Sequence, residues 1–230
     1  MTGGDWVVVV PQKDFRQAKS RMELDPRDRQ AVARALLRDT VTAARAASGV
    51  AEVVVVLDRR RDVEAVDDLG VRHVLAAGSG LNEALRQGER AARTRRPGCA
   101  VAALPADLPF VEPAVLGRAL AYAQAHDRAF LADAEGHGTT LLTARPGQEL
   151  RPFYGVGSRA AHRRSGAVEL VERDLAPLRF DVDRLAHLRL VSPLVNHPNL
   201  AEALGGLPPE ARGRMPATHP TLPEGQPWIC

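Results

Sequence analysis

Asp107 stands at the end of an apolar run, residues 100–104, and is pinned between Pro105 and Pro109. The run reads as a buried strand, and in open α/β sheets ligands bind at the carboxyl ends of the strands. A carboxylate fixed there has the chemistry of a group that holds a divalent metal against phosphates. A short acid at that place equally caps a following helix. The stretch Leu178-Arg179-Phe180-Asp181-Val182-Asp183 offers two further acids at alternate positions. In extended backbone, alternate side chains share one side, which suits one or two divalent ions. The competing reading makes Asp183 a helix N-cap.

Cations and glycines supply the rest. Lys13, Lys19 and Arg21 follow the first predicted strand. A nucleotide triphosphate usually lies there in such folds, and Lys and Arg match its charge. The glycine-rich loops of dinucleotide-binding and P-loop proteins are absent, and a solvated basic loop is the plain alternative. Asp133 is followed by Gly136-His137-Gly138-Thr139-Thr140. Glycine lets backbone approach an anion, and Thr adds a hydroxyl and an N–H. In Phe153-Tyr154-Gly155-Val156-Gly157-Ser158 a glycine turn leads into Ser and a predicted helix, which makes a nest for a carboxylate or phosphate. Each segment is commonplace by itself. His162, in the Arg159-Ala160-Ala161-His162-Arg163-Arg164 run, reads alone as a helix-surface histidine. Asp39 and Thr40 fall on the apolar face of their helix and read as a buried polar pair bonding backbone. Asn82, after Gly78-Ser79-Gly80, belongs to a base-recognition loop or simply to a helix start.

The elements that must position these groups follow from apolar periodicity. Residues 6–10 form a continuous β-branched run, as in a strand covered on both faces. Residues 27–48 repeat Val32, Ala35, Leu36, Ala43 and Ala47 at helical spacing and stop at Gly49. Strands are predicted at 52–57, 71–75, 100–104, 128–132 and 139–143. Helices are predicted at 63–69 and 81–95, and from Pro113 to about 126. This alternation specifies an α/β fold, a mostly parallel central sheet with helices on both faces. The segment from Ser192 onward holds eight of the 17 prolines and little apolar periodicity. Residues 1–207 are therefore expected to form a single domain and 208–230 a poorly ordered tail. No internal repeat is visible.

Composition narrows the function classes. With 230 residues and 45% hydrophobic content the chain can bury a full core, and with 4% aromatics Val, Leu and Ala must build it. The net charge of +3 permits an anionic substrate. No basic block with interleaved aromatics points to nucleic acid. Cys99 and Cys230 make neither a disulfide framework nor a zinc site. Residues 1–5 lack the regions of a signal peptide, and the apolar runs are strand-sized, so a cytoplasmic protein with no membrane partner is expected.

Basic loop, LPADLP, GxGTT, YGxGS, HRRSGA and FDVD, in this order, resemble the guanylyltransferases that make the activated phospho-acid precursor of the deazaflavin coenzyme F-420. The actinobacterial branch, which uses phosphoenolpyruvate, looks closest, and the resemblance covers roughly residues 6–195. It implies a nucleotide-diphosphosugar-transferase (Rossmann-like) fold over the expected domain. It implies that Asp107, Asp181 and Asp183 hold Mg2+ against the substrate phosphate. Thr139, Gly155 and Ser158 would contact the phospho-acid, Lys13 and Lys19 would lie along the GTP phosphates as the catalytic cations, and Arg21, from its place after them, is expected to help bind the nucleotide. The product would pass to a deazaflavin transferase. Gln12 stands where an apolar residue is usual, Tyr154 where Phe is common and Met22 where Leu is common. None of these removes a charge the chemistry needs. The implied reaction joins GMP to the phosphate of phosphoenolpyruvate, 2-phospho-L-lactate or 3-phosphoglycerate. The alternatives are another nucleotidyltransferase of the same fold, loading a sugar phosphate or molybdopterin, and a non-catalytic nucleotide-binding regulator.

Overall fold

The β-branched run forms β1 (Trp6–Gln12), the inner strand around which the chain winds. The computed structural model describes residues 6–16, 22–76, 78, 80–182 and 197–209. Lys19, Arg21 and Asp183 lie outside the described residues, as does all of the expected tail beyond Pro209. The further strands are β2 (Val50–Leu57), β3 (Arg72–Leu75), β4 (Ala100–Ala103), β5 (Arg128–Ala132), β6 (Thr139–Ala144) and β7 (Val168–Glu169). Among the described residues they make one seven-stranded sheet in the order β3-β2-β1-β4-β6-β5-β7. Pairing is parallel except where β6 lies antiparallel to β4 and β5.

The chain runs outward from β1 through β2 to β3, then returns to place β4 on the other side of β1. The order therefore reverses between β1 and β4. A crevice opens outside the carboxyl ends of strands at such a switch point. Lys13 follows β1 there and Asp107 follows β4.

The described residues form the helices α1 (Pro26–Ala46), α2 (Gly80–Arg95), α3 (Pro113–Ala123), α4 (Ser158–Arg164) and α5 (Pro198–Gly205), the last of which packs on α1. The N-terminus of α1 is set by Asp25, whose side chain accepts from Arg27 N–H, and by Pro26 in the first turn. Val8, Val10, Val53, Val55 and Ala102 face α1 and α3, in a core with Leu37, Val41, Leu116 and Leu120. Val7, Val9, Val54, Val56 and Val101 pack on the other face with Leu85 and Ala92 of α2. This two-sided burial is why the strands are written as unbroken apolar runs. At Gly88 a Cβ would lie 2.4 Å from Val9 Cγ1, so only glycine lets α2 sit this close to β1.

The predicted helix at 63–69 is instead a pair of 3-10 turns, Arg60–Ala65 and Asp67–Leu69. The region from Ser192, which shows little periodicity, contains α5. That helix is held by Asp39. Its carboxylate accepts from Asn199 N–H at 3.2 Å, Asn199 Nδ2 at 2.6 Å and Leu200 N–H at 2.8 Å. Thr40 Oγ1 donates to Ala106 C=O at 3.4 Å. Both members of the buried pair thus bond backbone far away in sequence. Leu200, Leu204 and Leu207 close a third cluster with Val32, Leu36, Met22 and Val182. Asp39→Ala strands the amides at the start of α5, and hydrogen bonds to a charged group are each worth about 1.5–3 kcal/mol. A stability loss of about 2–3 kcal/mol is expected in urea unfolding. An unchanged midpoint would show that α5 docks by apolar contact alone.

Candidate active site

The third cluster matters because Val182 is fully buried in it, between Asp181 and Asp183 in sequence. Val182 N–H also donates to Asp107 C=O at 3.0 Å. Asp181 is thereby carried alongside Asp107 at the carboxyl end of β4, and both are half-buried. Arg179, just upstream, is tied to the end of β5: its C=O accepts from Ala134 N–H at 2.7 Å, and its guanidinium donates to Ala132 C=O at 3.2 Å. Among the described residues no group of three or more His, Cys, Asp and Glu is placed to hold a metal ion. Asp183, the third acid of the expected set, lies outside them.

The loop after β1 is built around a buried acid. Asp14 N–H donates to Asp58 Oδ2 at 3.3 Å, and the Asp14 carboxylate takes Arg61 at 2.7 Å and Arg59 at 3.4 Å. The Arg61 hydrogen bond holds the Asp14 carboxyl below the usual carboxylate range. Burial raises Asp62, close by, and Asp14 adds to the rise. Lys13 is exposed on this loop. Gln12 is buried, and its side-chain amide donates to Lys13 C=O at 2.9 Å, so this departure from an apolar residue serves the loop itself.

On the other side of Asp107 two glycine loops meet. The Asp133 carboxylate accepts from His137 N–H at 2.9 Å and Gly138 N–H at 2.7 Å, which folds the turn that starts β6. A Cβ on Gly138 would lie 2.2 Å from Asp133 Oδ2, which is why glycine stands there. Arg159 N–H donates to His137 C=O at 3.1 Å and Arg159 Nη1 to Gly136 C=O at 3.0 Å, joining this turn to the 153–158 loop. Asn82, in the first turn of α2, bonds both backbone groups of Tyr154, at 2.7 Å to the N–H and 3.0 Å to the C=O. Its amide therefore serves loop docking. Gly155 holds φ +136° and Gly157 φ +72°, and Ser158 N–H closes the turn on Gly155 C=O at 3.1 Å.

Thr139 and Ser158 come together: Ser158 Oγ donates to Thr139 Oγ1 at 3.2 Å, and both residues are buried. His162 lies behind them. It is fully buried, with Nδ1 2.9 Å from Thr139 Oγ1 and Nε2 2.9 Å from Phe153 N. The rings of Phe130, Phe153 and Tyr154 surround it with centroids 5.2–6.2 Å away. Burial pushes its pKa down to about 4, helped by the Arg128 cation, so the ring is neutral at pH 7. The surface-histidine reading is thus corrected. Its helix has only seven residues, too few to show which face is apolar.

Lys13, Asp107, Asp181, Thr139, Gly155 and Ser158 accordingly share the carboxyl-terminal end of the sheet. A separate cleft lined by Arg45, Glu52, Gly70, Arg72 and Arg95 lies at the opposite ends of β2 and β3. There Glu52 is paired with Arg72 at 3.7 Å and Arg95 at 3.6 Å. No described helix is long and apolar enough to cross a membrane.

Comparison with known proteins agrees with this architecture. A phosphoenolpyruvate guanylyltransferase of Streptomyces scabiei (strain 87.22) is 46% identical over 209 residues, covering 88% of this chain and 97% of the relative. One from Streptomyces coelicolor (strain ATCC BAA-471 / A3(2) / M145) is 49% identical over 187 residues, covering 80% and 88%. A crystal structure from Desulfovibrio desulfuricans G20, assigned to the nucleotide-diphospho-sugar transferases, superposes with a TM-score of 0.64 at 17% identity, covering 86% of this chain and 95% of that one. That likeness is one of fold. Residues 6–167 match the family described as guanylyl transferase CofC like, and the chain belongs to that family.

Proposed function

We propose that this chain transfers GMP from GTP to the phosphate of phosphoenolpyruvate and releases pyrophosphate. A phosphate oxygen of the acid attacks the α-phosphorus of GTP; that O–P bond forms, the α–β bridging bond breaks, and pyrophosphate leaves with its electron pair. The nucleophile is ionised at neutral pH, so no protein base is required. Positioning and charge stabilisation carry the rate, as in phosphoryl transfer generally.

The observation that supports this reading is the Val182 N–H bond to Asp107 C=O, which joins the backbone next to Asp181 to that of Asp107 at the switch point of the sheet. Mg2+ is characteristically held by one or two carboxylates plus substrate phosphates. The donor set of Asp107 and Asp181, with Asp183 one residue past Val182, fits that ion. Bound there, it would supply charge neutralisation between two anions brought into contact. Lys13, with Lys19 and Arg21 a few positions on in sequence, neutralises the triphosphate. Thr139, Ser158 and the open backbone at Gly155 receive the carboxylate of the acid, which needs donors without bulk. Relatives named for phosphoenolpyruvate favour that acid over 2-phospho-L-lactate and 3-phosphoglycerate. The activated acid is then consumed by a deazaflavin transferase, on a cytoplasmic route.

The test is mass spectrometry of products after incubation with GTP, Mg2+ and each of the three acids, with the deazaflavin acceptor and its transferase added to trap a labile product. A guanylylated phosphoenolpyruvate adduct is expected. Turnover only with a sugar phosphate would replace this reading. Lys13→Ala is expected to raise the KM for GTP about 10-fold, the value of one hydrogen bond to a charged group, and to leave the KM for the acid within about twofold. Equal changes in both would move Lys13 away from the triphosphate.

A further inference from the structure

We propose that His162 is a positioning residue for the phospho-acid: its imidazole, locked in one tautomer by the Phe153 amide, makes the Thr139 hydroxyl an outward-facing donor. The proposal rests on the reading that Thr139, Gly155 and Ser158 receive the acid.

The hydrogen inventory fixes the direction of the two imidazole bonds. A backbone amide can only donate, so the contact from Phe153 N–H leaves His162 Nε2 as the acceptor, and Nδ1 carries the ring hydrogen. Nδ1–H then donates to Thr139 Oγ1 at 2.9 Å. Ser158 Oγ donates to the same oxygen at 3.2 Å. A hydroxyl has two acceptor positions and one hydrogen. With Ser158 as the donor of that bond, both acceptor positions on Thr139 are filled and its own hydrogen is left for a ligand. What remains is one O–H donor, and its matching ligand group is an acceptor without hydrogens of its own. An ionised carboxylate is that group, whereas a carboxamide nitrogen meets no lone pair there.

The same ring joins the two segments of the proposed acid site. Nδ1 bonds β6 through Thr139, and Nε2 bonds the 153–158 loop one residue before Tyr154. Phe130, Phe153 and Tyr154 enclose the imidazole and leave it little freedom to flip.

The tautomer can be read on the unmodified protein by long-range 1H–15N correlation of the imidazole nitrogens. A protonated Nδ1 and a bare Nε2 are expected at pH 7, and the reverse pattern overturns the proposal whether or not any variant folds. His162→Gln keeps an oxygen that can accept the Phe153 amide but places no donor at the Nδ1 position. It is expected to raise the KM for phosphoenolpyruvate about 10-fold, the value of a hydrogen bond in a charged site. The kcat and the KM for GTP should stay within about twofold. In a Thr139→Val background the same change should add nothing further to the KM, because contacts that act through one another are not additive. A fully additive effect, or an equal rise in both KM values, overturns the proposal. Should Thr139→Val alone leave the KM for phosphoenolpyruvate unchanged, the pocket assignment itself falls and takes the proposal with it, even with the expected tautomer in place.

Discussion

Asp181→Ala is expected to fold normally and to lose about 100- to 1,000-fold or more in kcat, the range seen when one electrostatic partner of a developing charge is removed. The fold should survive because the segment is anchored elsewhere. Val182 lies in the cluster with α1 and α5, its N–H bonds Asp107 C=O, and Arg179 ties the approach to β5. None of these contacts uses the Asp181 carboxylate. On the proposed function the loss should be chemical, because two phosphate-bearing substrates would meet beside Asp107 and Asp181, and mutual repulsion dominates unless a cation is held between them. Asp107→Asn is expected to match Asp181→Ala in kcat and in melting temperature. The measurement is steady-state turnover at saturating GTP and acid, with a thermal melt of the same sample. Near-normal turnover in either variant would remove the metal-site reading, and a collapsed melt would make the acid a structural one.

How much of this was legible in the sequence depends on the range of the interaction. Buried parallel strands declare themselves because both faces need apolar residues, so β1, β2 and β4 stand out as unbroken runs. The antiparallel placement of β6 between β4 and β5 is a tertiary fact, and strand-length runs do not carry it. The two-residue β7 and the 3-10 turns are too short for any period to show. The helix α5 escaped because it depends on Asp39, some 160 positions upstream, to satisfy its first amides. The motif acids were readable as a set, but the reason the Asp181 backbone runs beside that of Asp107 was not: it lies in the Val182 N–H bond to Asp107 C=O and in Val182 being pulled into a cluster closed by α5. Likewise GxGTT and YGxGS were visible as glycine loops, while Asp133, Arg159 and His162, which shape and join them, carry no sequence signal of that role, and Asn82 read as a base-recognition loop or helix start rather than as the residue that docks Tyr154.

Gly155→Val is expected to raise the KM for phosphoenolpyruvate about 100-fold, the value of about two hydrogen bonds to a charged group, while GTP binds within about twofold of normal. Two effects act at this position. Gly155 holds φ +136°, a conformation L residues rarely adopt, so any side chain strains the loop by about 1–3 kcal/mol. A Cβ there meets no protein atom within 4 Å, so the added bulk occupies open space beside Ser158 rather than clashing with the fold. If that space belongs to the acid, Val excludes it directly. Strain alone would act differently: it would shift the loop and with it Ser158, whose N–H closes on Gly155 C=O. Gly157→Ala separates the two. Gly157 also holds a left-handed φ, +72°, with open space around a Cβ, and lies two residues further on. It should cost stability like Gly155→Val but change the KM for the acid far less. The decisive numbers are dissociation constants for GTP and phosphoenolpyruvate in both variants, measured by calorimetry. Loss of GTP binding in Gly155→Val would hand this pocket to the nucleotide, and equal loss of acid binding in both variants would reduce Gly155 to a hinge of the loop.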